Sequence, residues 1–373
     1  MSGTGGGKRK VLVARLDSVG DVLVTGPAIR AVAGHPDVGE VTLLCGPQGR
    51  AAAELLPGPT DIMTWASPWT IVPAPPASVD HIETLRAFVA GQDFDEAVIF
   101  TSFHQSPLPL ALVLRLAGVP RISGASVDFP GSLLDVRLRP GEDFPEDQPE
   151  VERALTIAAA AGFPLPPGDD GRMHVTDPSG AWSGVDGHDI PRPYIVVHPG
   201  AAVPARMWPA ERSTAAVELL ARRGHTVVVT GGPGERDLTR RVAGSHGIDL
   251  GGRTDLRQTA EVLAGAAVVI TGNTGPAHLA AAVGTPIVSL FSPVVPPVRW
   301  APYGVPVELL GDQDAPCRNT RARDCPVPGH PCLASVTPED VAAAVDRLWP
   351  DAPARPRSEP DTSQSPTIHK ETQ

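Results

Sequence analysis

The segment that most constrains the fold spans residues 267–293, with the sequence AVVITGNTGPAHLAAAVGTPIVSLFSP. It begins with a short apolar run typical of a buried parallel strand, and a second such run covers residues 287–291. Between them, a Gly-Asn-Thr-Gly turn leads into a helix that Pro276 can begin and Gly284 can end. This order predicts a βαβ unit whose helix N-terminus lies at the carboxyl edge of a parallel sheet, where such sheets bind ligands. A βαβ connection without any ligand is the alternative.

The same alternation of apolar strands and helices continues along most of the chain. It starts at residues 10–15 and restarts at residues 194–197, after a segment rich in Gly, Asp, Ser and Pro. A chain of 373 residues is long enough for two such α/β domains, the first with about five or six strands. Residues 130–149 are polar and are predicted to form a loop. The predicted units are an N-terminal domain over residues 8–178, a linker over 179–193, a C-terminal domain over 194–349 and a disordered tail over 350–373.

Composition narrows the classes of function. The formal net charge is −11 and the pI is about 5.4, which argues against a nucleic-acid-binding protein. No segment approaches the roughly 18 consecutive apolar residues of a membrane span. The first ten residues lack the apolar stretch of a signal peptide. We therefore expect a cytoplasmic protein without a membrane span.

Four cysteines are too few for a disulfide-stabilised scaffold. Cys45 lies in an apolar strand and is predicted to belong to the core. Cys317, Cys325 and Cys332 lie in a loop rich in Pro and Arg, with His330 nearby. Zinc sites usually use closely spaced cysteine pairs, and the gaps here are wider. We therefore predict that these cysteines pack the loop and that the chain has no metal site.

Three glycine-rich segments follow predicted strands of the C-terminal domain, at residues 200–201, 231–235 and 273–275. Because the carboxyl ends of parallel strands share one edge of a sheet, these segments suit a nucleoside-diphosphate ligand. No Walker lysine follows the second segment, and no Asp-x-Asp turn is present to hold a metal ion on a diphosphate. Arg206, predicted to lie in an exposed loop, offers a fork of donors to phosphate oxygens instead. A surface arginine without a ligand is the alternative.

Asp21 marks the start of the first helix, directly after the first strand and a glycine. A dinucleotide fingerprint is absent from this turn, since G-x-G-x-x-G does not occur there. An aspartate at this position is also favoured by the helix dipole, so a purely structural role remains the alternative to a catalytic one.

Four separated segments resemble glycosyltransferase family 9, the heptosyltransferase-like enzymes. The segments are Gly20-Asp21-Val22-Leu23 with Pro27, His198-Pro199-Gly200 with Arg206-Met207-Trp208-Pro209, residues 231–235, and residues 273–281. The loop that carries the three clustered cysteines, with the helix that follows it, is similar to the C-terminal region of the same family. Together these similarities cover residues 10–348.

The resemblance implies a GT-B fold, in which two Rossmann-like domains face each other across a cleft, with the acceptor on the N-terminal side and the nucleotide-sugar donor on the C-terminal side. It implies inverting, metal-independent sugar transfer without a cofactor, typically from ADP-heptose. Asp21 would be the general base, and Arg206, which stands where the family usually has lysine, would stabilise the departing diphosphate. The further donor-binding positions that it implies are Gly200, Ala201, Glu235, Thr254, Asn273, Thr274, Gly275, Pro276 and His278.

Some positions leave the substrate and the function open. Asn273 stands where heptosyltransferases often have Asp, so the donor sugar stays undecided, and His278 would otherwise be interpreted as a packed helix residue. The acceptor is expected to be a glycan, a lipid-linked sugar or a small metabolite, and the protein a monomer, with or without peripheral attachment to a membrane. A nucleotide-sugar epimerase on the same fold and a catalytically silent nucleotide-sugar-binding protein are the alternative functions.

Overall fold

A computed structural model describes residues 7–176, here called the N-terminal half, and residues 190–350, the C-terminal half. Most of the predicted linker, residues 179–189, and nearly all of the predicted tail, residues 351–373, lie outside the described residues. Within the described ranges, none of the helices combines the length and the apolar character needed to cross a bilayer.

The N-terminal half alternates strands and helices as the sequence predicts. Its apolar first strand is buried along most of its length. Ser18, which has an extended backbone, is the residue directly before the first helix. The strands are β1 Arg9–Arg15, β2 Val38–Cys45, β3 Asp61–Thr64, β4 Glu96–Ile99, β5 Arg121–Ala125 and β6 Val136–Leu138. The helices are α1 Val19–Ala33, α2 Arg50–Ala53, α3 Val79–Ala90, α4 Leu108–Leu116 and α5 Glu150–Ala161.

The C-terminal half repeats this plan. Its last helix has a clear start signal, because the Thr337 side chain accepts a hydrogen bond from the Asp340 N–H at 3.1 Å. The strands are β7 Tyr194–His198, β8 Thr226–Val229, β9 Ile248–Asp249, β10 Ala266–Gly272, β11 Ile287–Leu290 and β12 Val307–Leu310. The helices are α6 Ala210–Arg222, α7 Arg236–Ala243, α8 Leu256–Ala264, α9 Gly275–Ala282, α10 Pro297–Trp300, α11 Pro331–Ala334 and α12 Pro338–Leu348.

Each half contains one six-stranded sheet, with the orders β3-β2-β1-β4-β5-β6 and β12-β11-β10-β7-β8-β9. All strand pairs in both sheets are parallel. In each sheet, successive strands are added first on one side of the first strand and then on its other side. The strand order therefore reverses between β1 and β4 in the N-terminal sheet and between β7 and β10 in the C-terminal sheet. Ligands of open parallel sheets bind in the crevice at such a reversal.

Two edge strands were not predicted from the sequence. The segment predicted as a loop, residues 130–149, contains β6, and no strand was predicted at β12. Both are short and only half-buried along their length. β6 alternates apolar residues with Arg137, and β12 carries Glu308, so neither has the continuous apolar run that identifies a buried parallel strand.

The two halves are in direct contact. Helix α1 packs against α9, and one buried apolar cluster takes in Val22 and Ala52 from the N-terminal half and Leu263 and Leu279 from the C-terminal half. The two helices pack closely at Gly20, where an added methyl carbon would lie 3.0 Å from His278 Cδ2. A methyl group at position 20 would therefore require His278 to shift by a few tenths of an ångström.

A second contact between the halves lies at α10. The guanidinium carbon of Arg299 lies 3.9 Å from the centroid of the Phe103 ring. Its Nη2 donates to Asp147 Oδ1 at 3.0 Å, and its Nη1 is 3.8 Å from Glu146 Oε1. The Arg299 side chain is 10% exposed, so its stacking on Phe103 is largely shielded from water, whereas its partner Asp147 is 74% exposed.

Candidate active site between the two sheets

The carboxyl ends of four central strands bring the candidate site together. Asp17 follows β1 and Ser102 follows β4, at the reversal point of the N-terminal sheet. Gly200 follows β7 and Asn273 follows β10, at the reversal point of the C-terminal sheet. The contact between α1 and α9 joins these two edges, so groups from both halves converge there.

Asp21 lies in the first turn of α1, and both of its carboxylate oxygens accept hydrogen bonds. Oδ1 accepts from Arg15 Nη2 at 2.9 Å, and Oδ2 accepts from the Ser18 hydroxyl at 2.6 Å and from the Ser18 N–H at 3.2 Å. Burial alone would raise the pKa of Asp21, but the Arg15 charge and the Ser18 donors outweigh it and hold the pKa below its ordinary value. Since the side chain is still 16% exposed, an ionised carboxylate is accessible to solvent here. In this geometry Asp21 can bond to the residue that precedes α1 and can also act as a base.

Arg15, which sequence analysis did not single out, orients this carboxylate. It ends β1 and is 2% exposed. Its Nε lies 2.8 Å from Asp17 Oδ2, and its Nη2 donates to Ser102 Oγ at 2.7 Å. Burial raises the pKa of Asp17 to about 6, against the opposing effect of Arg15. The signal that could have identified Arg15 is an arginine at the end of an otherwise apolar strand, because a buried guanidinium requires acidic partners.

Glu150, at the start of α5, is a second group that the sequence did not indicate. It is 3% exposed, and burial raises its pKa to about 7 although the charges of Arg15 and Arg153 oppose the shift. Arg153 is itself fixed by donating from Nε to the Thr101 carbonyl at 3.3 Å. The charge of Asp21 also acts to raise the pKa of Glu150, so the two carboxyl groups belong to one buried charge network around Arg15.

Arg206 approaches the site from the C-terminal half. Its Nη1 donates to the Asn273 carbonyl at 3.4 Å, while among the described residues its buried Nε finds no acceptor. The prediction of an exposed loop was wrong, because Arg206 is half-buried. Its loop folds against the end of β10, where a methyl carbon on Gly272 would lie only 2.7 Å from the Arg206 carbonyl oxygen. Burial lowers the pKa of Arg206 and Asp21 opposes this shift, yet a guanidinium stays charged at neutral pH.

His278 lies on α9 beside Gly20 of α1, and the charges of Asp21 and Arg206 both act on it. It is 6% exposed, and its Nδ1 has no hydrogen-bond partner among the described residues. Burial lowers the pKa of His278 to about 4, while Asp21 acts to raise it and Arg206 to lower it further. The imidazole is therefore neutral at pH 7 and retains an unused ring nitrogen. Trp300 covers it edge-on at a centroid distance of 6.4 Å.

Asn273 holds the turn that begins α9. Its Oδ1 accepts from the Ser292 N–H and its Nδ2 donates to the Ser292 carbonyl, both at 3.3 Å. The side chain thus ties the ends of β10 and β11 together. Thr274 is the extended residue before the helix, and Gly275 and Pro276 form its first positions. The Gly275 N–H has no partner within the helix, as is general for the first turn.

Glu235 lies further along the same edge. Its Oε2 accepts from the Gly232 N–H at 2.7 Å and is 3.8 Å from Nε2 of the buried His198. Burial lowers the pKa of His198, although Glu235 opposes this. A methyl carbon on Gly200 would lie 1.8 Å from Glu235 Oε1, so a larger residue there would displace the Glu235 carboxylate. Ala201 follows this close contact.

The predicted donor residues are therefore arranged along four neighbouring strands. Residues 273–278 follow β10, residues 200–201 follow β7, Glu235 follows β8 and Thr254 follows β9, in the spatial order β10-β7-β8-β9. The Thr254 hydroxyl is 2.9 Å from that of Thr259. Neighbouring strands are about 4.8 Å apart, so this row extends over roughly 14 Å. The β10 end of this row lies at the α1–α9 contact, on the side of Asp21, and the β9 end lies farther from that contact.

The cysteine-rich loop packs behind this edge. Cys317 and Cys332 are fully buried in the apolar cluster of the C-terminal half, and Cys325 packs against that cluster. Cys332 Sγ lies 3.9 Å from the hydroxyl of Ser292, the residue that binds Asn273. Cys45 is fully buried in β2. In the part of the chain that the structure describes, no group of three or more His, Cys, Asp or Glu could hold a metal ion.

Comparison with known sequences identifies relatives of this chain. The family model of glycosyltransferase family 9 (heptosyltransferase) matches residues 103–330. Lipopolysaccharide heptosyltransferase 3 of Escherichia coli is 30% identical over 168 residues, which cover 43% of this chain and 48% of that protein. The chain thus spans about half the length of the curated relatives it matches in this way.

Comparison with solved structures shows the fold. The E. coli ADP-heptose LPS heptosyltransferase II has a TM-score of 0.70 and 21% identity, with 91% of this chain and 98% of that chain covered. E. coli heptosyltransferase WaaC with ADP has a TM-score of 0.63 and 18% identity, with 91% and 97% covered. The predicted GT-B fold is confirmed by these neighbours and by the two facing six-stranded parallel sheets.

Proposed function

The chain belongs to glycosyltransferase family 9, and from this premise we propose that it transfers a sugar from a nucleotide-diphosphate donor to an acceptor hydroxyl. ADP-heptose is the donor we propose, because the names of relatives with the same fold include it. One observation carries the proposal: the α1–α9 contact, closely packed at Gly20 and His278, brings the Asp21 carboxylate of one half to the turn where Arg206 of the other half donates to the Asn273 carbonyl.

We assign the donor to the C-terminal half. The row of residues along β10, β7, β8 and β9 is roughly 14 Å long, which suits an extended nucleotide-sugar. The diphosphate and sugar would lie at the β10 end, against the Gly275 N–H, Arg206 and His278. The nucleoside would extend toward Glu235 and Thr254. The Asn273 side chain would support the turn rather than bind the sugar, because it is engaged with the Ser292 backbone.

We assign the acceptor to the N-terminal half and Asp21 to the role of base. Asp21 Oδ1 accepts one hydrogen bond from Arg15 and so retains a lone pair for an acceptor hydroxyl. In the proposed step the acceptor oxygen attacks the anomeric carbon from the face opposite the diphosphate, its proton passes to Asp21, and the carbon–oxygen bond to the diphosphate breaks. The configuration at the anomeric carbon is therefore inverted. Arg206 stabilises the charge that develops on the leaving diphosphate.

Donor binding gives the most direct test. Isothermal titration of the full chain with ADP should show binding, and Arg206→Ala should weaken it at least about tenfold, because a charge-assisted hydrogen bond is worth roughly 1.5–3 kcal/mol. Arg212→Ala is the matched control, since that side chain is bonded to the Ala334 carbonyl outside the proposed site. Release of ADP from ADP-heptose, with and without candidate acceptors, then tests turnover. Equal ADP affinity in the Arg206 and Arg212 variants would contradict the proposed donor site.

A further inference from the structure

A cavity of about 350 Å³ opens beside Asp21 in the N-terminal half. It lies at the reversal point of the sheet, between the ends of β1 and β4, and its polar lining includes Asp17, Thr70, His104 and Gln105, with Trp69 on one wall. The volume is at the lower end of the range of about 300–1,000 Å³ typical of small-molecule sites. The cavity therefore has room for one small ring-shaped unit.

The cavity adjoins the proposed base. Asp17 lines the cavity and Asp21 lies outside it, and the two carboxylates flank a single guanidinium group, with Arg15 Nε 2.8 Å from Asp17 and Nη2 2.9 Å from Asp21. A molecule seated in the cavity is thus held next to Asp17, which shares the Arg15 guanidinium with Asp21. The cavity lies in the half to which the proposed function assigns the acceptor.

The described residues that line the cavity carry no positive charge. Among the described residues, no lysine or arginine lines it. Arg15 lies beneath the floor, but its guanidinium is 2% exposed and is occupied by two carboxylates and Ser102. His104 is neutral at pH 7, because burial and the charge of Arg321 lower its pKa to about 4. A phosphate or carboxylate group placed here would meet Asp17 without a compensating cation, which is unfavourable in a partly dry cavity.

The lining instead matches a polyhydroxylated ring. Trp69 is half-buried and is braced against Trp65, with ring centroids 5.3 Å apart, so it offers a fixed apolar surface for the C–H face of a sugar. Asp17, Gln105 and Thr70 supply acceptors and donors for hydroxyl groups. Gln105 itself donates to Asp17, which holds both side chains in place.

We propose that this cavity binds a neutral sugar unit of the acceptor, stacked on Trp69, and excludes units that carry phosphate or carboxylate. The inference rests on the function proposed above, because it assigns the acceptor class of that reaction. The guanidinium carbons of Arg299 and Arg321 lie 3.9 and 5.6 Å from the centroid of the Phe103 ring, and neither residue lines the cavity.

Binding can be measured without knowing the natural acceptor. The full chain, saturated with ADP, is titrated with neutral p-nitrophenyl hexopyranosides and with glucose 6-phosphate, and contacts are followed by saturation-transfer NMR. We expect at least one neutral glycoside to bind, at least about tenfold tighter than glucose 6-phosphate. Trp69→Ala should weaken that binding about tenfold or more, Trp69→Phe should restore most of it, and ADP affinity should stay unchanged in both. Thr70→Lys, which adds a cation to the wall, should shift the preference toward the phosphate.

Each contrary result has a defined meaning. Tighter binding of glucose 6-phosphate to the parent protein, no binding of any neutral glycoside, or equal binding by Trp69→Ala would overturn the inference. Loss of phosphate binding in Arg321→Gln would show that an anion is held at the cavity mouth, which also overturns it. Absence of ADP binding in the same samples, with glycoside binding intact, would instead overturn the proposed function and leave the neutral cavity supported.

Discussion

The carboxylate of Asp21 gives the clearest prediction at the scale of single residues. Asp21→Asn preserves size but cannot accept the proton of the acceptor hydroxyl, so we expect kcat to fall by about 10²–10⁴-fold with ADP affinity unchanged. Because asparagine also loses the Arg15 ion pair, its melting temperature should be recorded beside its kinetics. A folded Asp21→Asn protein with parent-like kcat would leave Asp21 only its role in the first turn of α1.

Ser18 allows the same base to be tuned without removing it. The Ser18 hydroxyl donates to Asp21 Oδ2 at 2.6 Å and stabilises the charged form. Ser18→Ala therefore raises the pKa of Asp21, and since the base must be ionised, activity should begin to fall at a higher pH as the solution is acidified. Rate profiles of parent and variant from about pH 3 to 8 measure this shift relative to the ordinary aspartate pKa of about 3.9. If activity of Ser18→Ala falls at the same pH as that of the parent, or at a lower pH, the assignment of Asp21 as the base is contradicted.

Single residues were predictable only where a short motif carries them. The sequence places Asp21, Arg206 and His278 in recognisable segments, and the structure brings these three together. Arg15 and Ser102 escape such analysis because they are 87 positions apart and meet only when β1 and β4 pair. The Arg206 backbone likewise lies against a residue distant in sequence, Gly272, at the end of β10.

At the scale of secondary-structure elements, the α1–α9 contact sets how closely the two halves approach. Gly20→Ala adds a methyl group 3.0 Å from His278 Cδ2, tighter than most contacts of this kind. We expect the helices to separate slightly and kcat to fall about tenfold or more, because small displacements of reacting groups are costly. Gly26→Ala on the same helix meets only the flexible Leu56 Cδ2 at 3.0 Å, away from α9, and serves as the control. Equal kcat values for the two variants would show that this contact does not position the reacting groups.

The elements that the sequence predicts best are those with continuous apolar runs. The strands at the centre of each sheet, such as β1 and β10, were located within one or two residues. The edge strands β6 and β12 were missed because water-facing residues interrupt their pattern, and their pairing depends on neighbours elsewhere in the chain. The prediction of the site is unaffected, because β6 and β12 lie at the sheet edges and not at the reversal points where the proposed ligand-binding residues lie.

For the whole molecule, the arrangement of fixed charges predicts independence from added metal. Arg206 brings a permanent cation to the proposed diphosphate position, so transfer should continue at an undiminished rate in excess EDTA. ADP release measured with EDTA, and again after adding Mg²⁺ or Mn²⁺, checks this. If EDTA abolishes transfer and Mg²⁺ or Mn²⁺ restores it, Arg206 alone does not stabilise the leaving diphosphate.

The overall architecture was largely predictable, because repeated strand–helix alternation leaves few alternatives to parallel sheets covered by helices. Family resemblance supplied the pairing of two such units as a GT-B fold. The sequence could not predict that the two halves share a buried apolar cluster. Its side chains come from α1, α2, α8 and α9, and their apolar pattern is the same as that of core residues in two separate domains.

That shared interior makes the two halves dependent on each other during unfolding. Separating them would expose the apolar surface between α1 and α9 to water, so neither sheet can melt while leaving the other undisturbed. We expect scanning calorimetry of the full chain to give one cooperative transition, with ADP shifting the whole peak upward rather than splitting it. Two resolved transitions, only one of them moved by ADP, would mean that the halves melt separately. If the single peak is found, nucleotide held by one sheet protects the entire polypeptide against heat, although it touches only part of it.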